Sequence, residues 1–445
     1  MSAAPKQLLS VTDGIFLTVG MIIGALIFKA PSTVAGATSG TAEFLFAWIL
    51  GGVVSLCGAL VYAELAGRHP DTGGEYVFLA DGLGKGVAFL FAWSRMTVIQ
   101  TGAIAAVAFV FGDYASEILR LGAHSSAIWA SLAIAALTLL NIAGTLQSKA
   151  LQKVMEIALI ASLVLFSIAA LVVGGAPKPA AVAATGGGSF GFAMIFVLLA
   201  YGGWNEAAYL AGEVRDGRRN MTRILVTGVL AVTALYLLVN LGFLAVLGHD
   251  GIRESKAVAA DVMRVIAGEK GALLMALIVC VSVSTTINAA IFTGARSTYA
   301  LGRDFPVFHR LGAWREAGST PANALLLQGA ITLALVGAGA ATPDGFNAMV
   351  AYTSPVFWTF FLLTGLTLFR FRAQEKREGN MVKEFRVPFY PLIPLIFCAT
   401  CAYMLYSSID YVRNPVFGPK FGDAVLAGLA VMAAGIPLYW FARRK

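Results

Sequence analysis

Residues 20–28 read GMIIGALIF and residues 200–206 read AYGGWNE, and these two stretches decide the fold. Each one places glycines near the middle of a long apolar run. Glycine leaves helical backbone angles at little steric cost, and an unwound backbone is tolerated in a membrane only where it is buried or lines a polar cavity. The two stretches therefore predict two broken helices beside a polar site.

The two predicted breaks occupy matching places, in the first and sixth of about twelve apolar runs. With five spans per half, residues 1–175 and 186–370 form two repeats, inverted because the first and sixth spans run in opposite directions. Broken helices at corresponding positions of inverted repeats are the best sequence pointer to a transporter site. The alternative is that Gly20 and Gly24 form a G-x-x-x-G face for helix packing.

Composition supports a membrane protein. Of 445 residues, 58% are hydrophobic and 13% are charged, about half the roughly 25% charged residues usual in soluble domains. This excludes an ordinary soluble enzyme and a disordered chain, and unbroken runs disfavour a β-barrel. Because about 20 apolar residues span a bilayer, the runs leave no room for a soluble domain. We expect a single all-α transmembrane domain over 1–445.

Twelve transmembrane helices are predicted, at residues 12–35, 43–66, 86–112, 124–144, 153–174, 190–211, 222–248, 271–295, 323–341, 346–368, 388–410 and 421–441. With these spans, 22 Lys and Arg residues lie on the side of the termini and 9 on the other side. Cytoplasmic loops are enriched in Lys and Arg. The chain is thus expected in the plasma membrane with both termini cytoplasmic, and its net charge of +8 indicates topology rather than nucleic-acid binding.

Two loops carry further expectations. Residues 251–270 are predicted to form a short surface helix outside, and residues 370–387 a solvated cytoplasmic linker.

The four cysteines are predicted to pack against neighbouring helices rather than to bind metal or take part in redox chemistry, because all four lie in apolar spans. No metal or other cofactor is expected. No H-E-x-x-H, G-x-S-x-G or phosphate-binding motif is present, so an enzyme or a primary pump is not expected.

The residues around both breaks resemble bacterial members of the amino acid–polyamine–organocation (APC) superfamily, near the L-type (LAT-like) amino acid permeases. Residues 20–28 are similar to the family's G-x-x-I-G-[SA]-G-[IV]-F. The most specific likeness follows span 2, where YAELAG at 62–67 and PDTGGEY at 70–76 are similar to Y-A-E-L-G…P-x-[SA]-G-G-x-Y. Residues 213–216, 300–304 and 386–388 also resemble family motifs, so that the likeness covers nearly the whole chain.

The resemblance implies the LeuT-type fold, with a 5+5 inverted repeat and two peripheral helices over 388–445. It also implies secondary active transport of amino acids across the membrane by alternating access. The substrate carboxylate and amino groups would bind at the broken helices 1 and 6, where free N–H groups suit an anion and free carbonyls a cation. The implied substrate-binding positions are Ile23, Gly24, Ala25, Leu26, Tyr201, Gly202, Gly203, Trp204 and Asn205.

Two positions depart from the family pattern. The third glycine of the span 1 motif is Leu26 here, which predicts a narrower carboxylate pocket or a shorter break. Many relatives have a lysine in span 5 where sodium-coupled cousins hold a sodium ion, and that position is Leu159 here. The presence of that lysine is the usual argument for sodium-independent exchange, and this chain offers no such argument because it has a leucine there.

Ionisable side chains in the spans are candidates for coupling transport to an ion, because a charge in a bilayer is costly and needs a reason to be there. Glu206 follows the second break and suits proton coupling, binding of a substrate amine or capping of the second half-helix. Arg95 is predicted to pair with a carboxylate such as Glu156, or to snorkel to the interface. Sodium-coupled relatives use hydroxyls of span 8, here Ser284 and Thr285, although such hydroxyls also bond to their own helix.

Three other side chains are candidate gate residues. Glu64 and Glu213 are expected to act as cytoplasmic gate or cap residues, with structural hydrogen bonding as the alternative. Trp204 is the leading candidate for an aromatic gate because it adjoins the second break.

The expected ligand is an amino acid or amine, with H+ or Na+ as the candidate coupling ion and the lipid bilayer as the surroundings. An amine or polyamine carrier, or an amino acid exchanger without ion coupling, is the alternative. A polyamine carrier would need more carboxylates at the site than this sequence provides. No nucleic acid partner is expected.

Overall fold

The computed structural model describes residues 10–69, 74–144, 149–174, 189–207, 214, 217–316, 320–379, 385–413 and 419–443. These residues are helical almost throughout, and no strand forms among them. A bilayer core offers the backbone no water to bond with, so apolar segments satisfy their N–H and C=O groups within helices. The predicted Glu213 lies outside the described residues, as do the side chains of Glu156 and Glu206.

The helices follow in the order α1 (Val11–Ile22), α2 (Ala30–Ala37), α3 (Thr41–Arg68), α4 (Glu75–Leu83), α5 (Lys85–Ser94), α6 (Gln100–Ile118), α7 (Ser125–Ala143), α8 (Lys149–Gly174), α9 (Phe190–Ala200), α10 (Trp204–Ala207), α11 (Gly217–Glu254), α12 (Val258–Asp304), α13 (Ala322–Ala340), α14 (Gly345–Glu378), α15 (Leu392–Arg413) and α16 (Pro419–Arg443). A 3-10 turn over Ala25–Phe28 lies between α1 and α2. A π-helical turn over Arg95–Ile99 joins α5 to α6.

Nine helices in the described ranges are long and apolar enough to cross a bilayer: Thr41–Arg68, Lys85–Ile118, Ser125–Ala143, Asn220–Glu254, Val258–Asp304, Ala322–Ala340, Gly345–Glu378, Leu392–Asp410 and Phe421–Ala442. They coincide with nine of the predicted spans. Three shorter apolar helices, Val11–Ile22, Leu159–Gly174 and Phe190–Ala200, lie where spans 1, 5 and 6 are predicted. The expectation of an all-helical polytopic membrane protein is confirmed, whereas twelve crossings remain a prediction.

The broken segments pack at the centre of the helical assembly. Helix α11 packs against α1, α3 and α8, and α12 packs against α6. Large aromatic side chains fill the middle of this assembly and are fully buried, among them Trp48, Tyr201 and Tyr236. In contrast, the first half of α12 exposes leucines such as Leu274 and Leu277, as expected of a face that meets lipid.

The predicted helix in 251–270 is present but is less exposed than expected. Helix α11 bends at Gly248 and α12 bends at Gly268, both with positive φ. The helical segment between α11 and the second bend begins at Val258, which is fully buried, as is Val262. Its polar side chains bind one another and α6, since Arg264 pairs with both Asp261 and Glu117. The segment therefore packs on the helices beneath it.

The predicted linker over 370–387 is largely wrong. Helix α14 continues to Glu378, and the charges of this region find buried partners on α3. The carboxylate of Glu64 is fully buried and accepts from Arg372 at 2.5 Å and from the Val387 N–H at 2.7 Å. Arg68 joins Glu64 at 2.6 Å to Glu375 at 2.9 Å. Arg372 and Glu375 therefore belong to a largely buried network with α3, whereas Arg370, Lys376, Arg377 and Glu378 are exposed.

Candidate functional site

The first helix breaks where the sequence predicts. Helix α1 ends at Ile22, and Ile23 and Gly24 have extended backbone angles before the 3-10 turn begins at Ala25. No side chain caps this turn, so the N–H groups of Ala25 and Leu26 lack an acceptor within it. Leu26 lies inside the turn rather than in the extended part. The break is therefore short, with two extended residues.

The second break is also where it is predicted. Helix α9 ends at Ala200, and Tyr201 to Gly203 form a turn before α10 begins at Trp204. Gly203 has φ +105°, a conformation that costs side-chain-bearing residues energy. The Gly203 N–H donates to the side-chain oxygen of Asn205 at 3.3 Å. The turn is thus closed locally by its own downstream residue.

The two breaks lie in direct contact. A Cβ placed on Gly203 would lie 2.3 Å from the carbonyl oxygen of Met21. The Tyr236 hydroxyl on α11 lies 3.0 Å from the carbonyl oxygens of both Ile22 and Ala200, the last helical residues before each break. One hydroxyl carries one proton, so the two carbonyls share a single donor and keep capacity to accept from a bound cation.

A small side chain would fit at Gly24 without a clash. A Cβ placed there would have only the Ile22 carbonyl oxygen at 3.9 Å and the Thr286 methyl group at 4.0 Å within reach. Thr286 belongs to α12, so this helix faces the break from the opposite side. The Ile22 carbonyl oxygen and the uncapped start of the 3-10 turn lie next to this position. Polar backbone groups of this kind suit a small zwitterion better than an apolar ligand.

The break is closed off from one side of the molecule. Lys29, five residues beyond Gly24, is 5% exposed and pairs with Asp113 of α6 at 2.9 Å. Next to it, Tyr114 donates to the Phe28 carbonyl at 3.0 Å. These contacts fix the segment after the break to α6.

On the other side, α12 presents a polar, accessible face. Thr293 and Ser297 follow Thr286 at helical spacings of seven and eleven residues, which places them on the same face. Thr293 and Arg296 are exposed. Helix α1 packs instead against α10 and α11. These exposed polar side chains lie toward the end of α12 that carries Asp304.

Trp204 is packed rather than free to gate. Its ring is 4% exposed and lies edge-on to Tyr62, with ring centroids 5.1 Å apart. Phe361 and Phe397 surround it at 5.7 and 6.1 Å. This aromatic cluster fixes the start of α10.

Arg95 pairs with a residue that the sequence reasoning missed. Its guanidinium lies 3.3 Å from the carboxylate of Glu75 on α4. Glu75 is 3% exposed and also accepts from the Tyr62 hydroxyl at 3.0 Å and from the Asn205 amide at 3.3 Å. The available signal was an acidic residue directly after Gly73 and Gly74, within the loop motif.

The other coupling candidates are bonded within their own helix. Ser284 donates to the Cys280 carbonyl at 2.7 Å, and Thr285 donates to the Ser282 carbonyl at 2.6 Å. Leu159 is half-buried. In the described part of the chain, no group of three or more His, Cys, Asp or Glu side chains is placed to hold a metal ion.

A cavity of about 170 Å³ lies between α9, α14, α15 and α16. Its walls are mainly apolar, including Phe192, Phe196 and Phe421, with Asp344 and Asn347 at its polar part. None of the sequence-predicted site residues lines it.

A helical membrane protein with two broken helices in contact is the class that these features define. Residues 9–431 match the model of the amino acid permease family. The chain belongs to this family, within the APC superfamily.

Several characterised transporters are similar to it over nearly their whole length. The serine/threonine exchanger SteT of Bacillus subtilis is 25% identical, over 99% of this chain and 98% of the relative. The human b(0,+)-type amino acid transporter 1 is 28% identical over 90% of this chain and 82% of its own. The human cystine/glutamate transporter is 23% identical over 98% of this chain and 85% of its own length. These relatives are amino acid transporters by name.

Proposed function

We propose that the protein is a secondary transporter that carries amino acids across the plasma membrane by alternating access. The observation that carries this proposal is the contact between the two helix breaks, next to the uncapped start of the 3-10 turn. Membership of the amino acid permease family supports the substrate class. The name of the Bacillus subtilis relative favours exchange of one amino acid for another.

In the proposed binding mode, the substrate carboxylate meets the N–H groups of Ala25 and Leu26, next to Ile23 and Gly24. An anion is favoured there because the first N–H groups of a helical turn are unbonded and carry positive partial charge. The substrate amino group meets the backbone carbonyls around the breaks. The second half of the site is formed by the turn and the start of α10: Tyr201, Gly202, Gly203, Trp204 and Asn205.

The proposed architecture is twelve spans, with inverted repeats over 1–175 and 186–370 and both termini cytoplasmic. In this orientation the accessible face of α12 opens to the cytoplasm, and the Lys29–Asp113 pair closes the outer side. The described conformation is then an inward-facing one. Glu206, Ser284 and Thr285 remain the candidates for coupling to H+ or Na+.

Purified protein in liposomes tests this function. We expect uptake of labelled serine, threonine, cystine, glutamate or leucine, increased when the lumen is loaded with unlabelled amino acid. An imposed proton or sodium gradient would reveal coupling to that ion. Uptake of a polyamine alone would favour the alternative carrier, and no uptake under any gradient would contradict the proposal.

A further inference from the structure

The buried carboxylate of Glu75 lies where three helices meet. Its partners are Tyr62 on α3 at 3.0 Å, Asn205 on α10 at 3.3 Å, and Arg95 at the start of the π-helical turn at 3.3 Å. The predicted binding mode uses none of these carboxylate contacts. Because a buried carboxylate is costly without partners, this one is held at its position by all three elements.

Asn205 connects this carboxylate to the second break. Its side-chain nitrogen donates to Glu75, while its side-chain oxygen accepts from the Gly203 N–H at 3.3 Å. If the Asn205 amide were reversed, its oxygen would face the Glu75 carboxylate, which is also an acceptor, and its NH2 group would face the Gly203 N–H, which is also a donor. Glu75 therefore selects the Asn205 orientation that closes the turn at Gly203.

Gly203 in turn lies against the backbone of Met21. The contacts thus run without a gap from Arg95, through Glu75 and Asn205, to the two broken helices. A change in any one member displaces the turn that forms half of the proposed site.

We propose that Glu75 is a positioning residue for the substrate site: through Asn205 it fixes the geometry of the turn at Gly203, and through Arg95 it ties that geometry to the span containing α6. This inference rests on the proposed amino acid transport. The proposal gives Glu75, which lies on α4 outside the broken helices, a role in substrate affinity.

The test is a double-mutant cycle on substrate affinity. Binding of labelled serine and leucine is measured for wild type, Glu75→Gln, Asn205→Ala and the double variant, along with thermal unfolding of each. Loss of a charge-assisted bond is worth a roughly tenfold change in Kd. We expect each single variant to weaken binding about tenfold or more, and the double variant to be no weaker than the worse single one, since the two residues act in series.

Glu375→Gln is the matched control, because Glu375 is also buried and is paired with Arg68 and Arg386 but has no predicted role at the site. It should lower the unfolding temperature and leave the Kd within about twofold of wild type. Fully additive losses of affinity, or equal losses in Glu375→Gln and Glu75→Gln, would overturn the positioning role. Wild-type protein that binds none of the amino acids and transports none would overturn the proposed function itself. If Glu75→Gln fails to fold, Glu75→Asp takes its place in the cycle with the same expected pattern.

Discussion

Gly203 lies so close to Met21 that a Cβ on the glycine would come within 2.3 Å of the Met21 carbonyl oxygen. The second break is therefore seated directly on the end of α1. Two segments almost 180 residues apart in the sequence form one backbone contact, with Tyr236 bonded to both sides of it. The geometry of one break depends on the geometry of the other.

Replacing Gly203 by alanine should damage both folding and binding. The left-handed φ costs an alanine about 1–2 kcal/mol, and the new Cβ forces α1 and the turn apart. Gly24→Ala is the matched variant, since its Cβ would meet nothing closer than 3.9 Å. Thermal unfolding in detergent should show a clear loss for Gly203→Ala and little change for Gly24→Ala. Equal unfolding temperatures would contradict the contact between the breaks.

Tyr236→Phe should weaken substrate binding and cost about 0.5–1.5 kcal/mol of stability, because one buried hydroxyl holds two carbonyls next to the breaks. Tyr352→Phe is a fair control: its hydroxyl donates to the Thr97 carbonyl at 3.1 Å, away from the site. Both variants should lose similar stability in a thermal melt, but only Tyr236→Phe should raise the Kd for the amino acid. A similar rise in Tyr352→Phe would speak against a specific role.

Lys29→Met should destabilise the protein by about 1–3 kcal/mol, because it leaves the partly buried Asp113 carboxylate without its cation. Asp113→Asn combined with Lys29→Met removes both charges and should recover part of that loss. Chemical or thermal unfolding measures both. If the losses of the two single variants simply add in the double variant, the two side chains do not act as a pair.

The accessible face of α12 predicts a labelling pattern. Thr293→Cys should react with a water-soluble thiol reagent, whereas Leu277→Cys, 47% exposed on the apolar half of the same helix, should be shielded by lipid. The native cysteines are free but all buried, so their background is low. Substrate that occludes the site from this side should slow the Thr293→Cys reaction. Lack of reaction at Thr293→Cys in membranes with both sides open to the reagent would contradict an aqueous access path there.

The positions of both breaks were predictable because glycine inside an apolar run has a local physical meaning. The contact between the breaks was not, since it joins residues far apart in the sequence and depends on how α9 and α1 cross. The shortness of the first break was foreshadowed by Leu26, which the structure holds inside the 3-10 turn.

The charges were harder to predict than the helices. Arg95 was predicted to pair with a carboxylate such as Glu156 or to reach the lipid interface. It pairs with Glu75, which becomes its neighbour only through tertiary packing. Residues 370–387 give a second example. Their charges were predicted to be solvated, but Arg372 pairs with the buried Glu64 and Glu375 pairs with Arg68. Sequence patterns report hydrophobic period well and long-range ion pairing poorly.

The most direct test of the central claim compares wild type with Gly24→Trp in liposomes preloaded with unlabelled amino acid. The tryptophan projects from Gly24, where a Cβ would meet no atom closer than 3.9 Å, and it leaves Gly203 unchanged. We predict exchange of labelled amino acid by wild type, and none by Gly24→Trp despite an unfolding temperature close to that of wild type. Exchange at the wild-type rate and affinity by Gly24→Trp would contradict a substrate site at the two breaks.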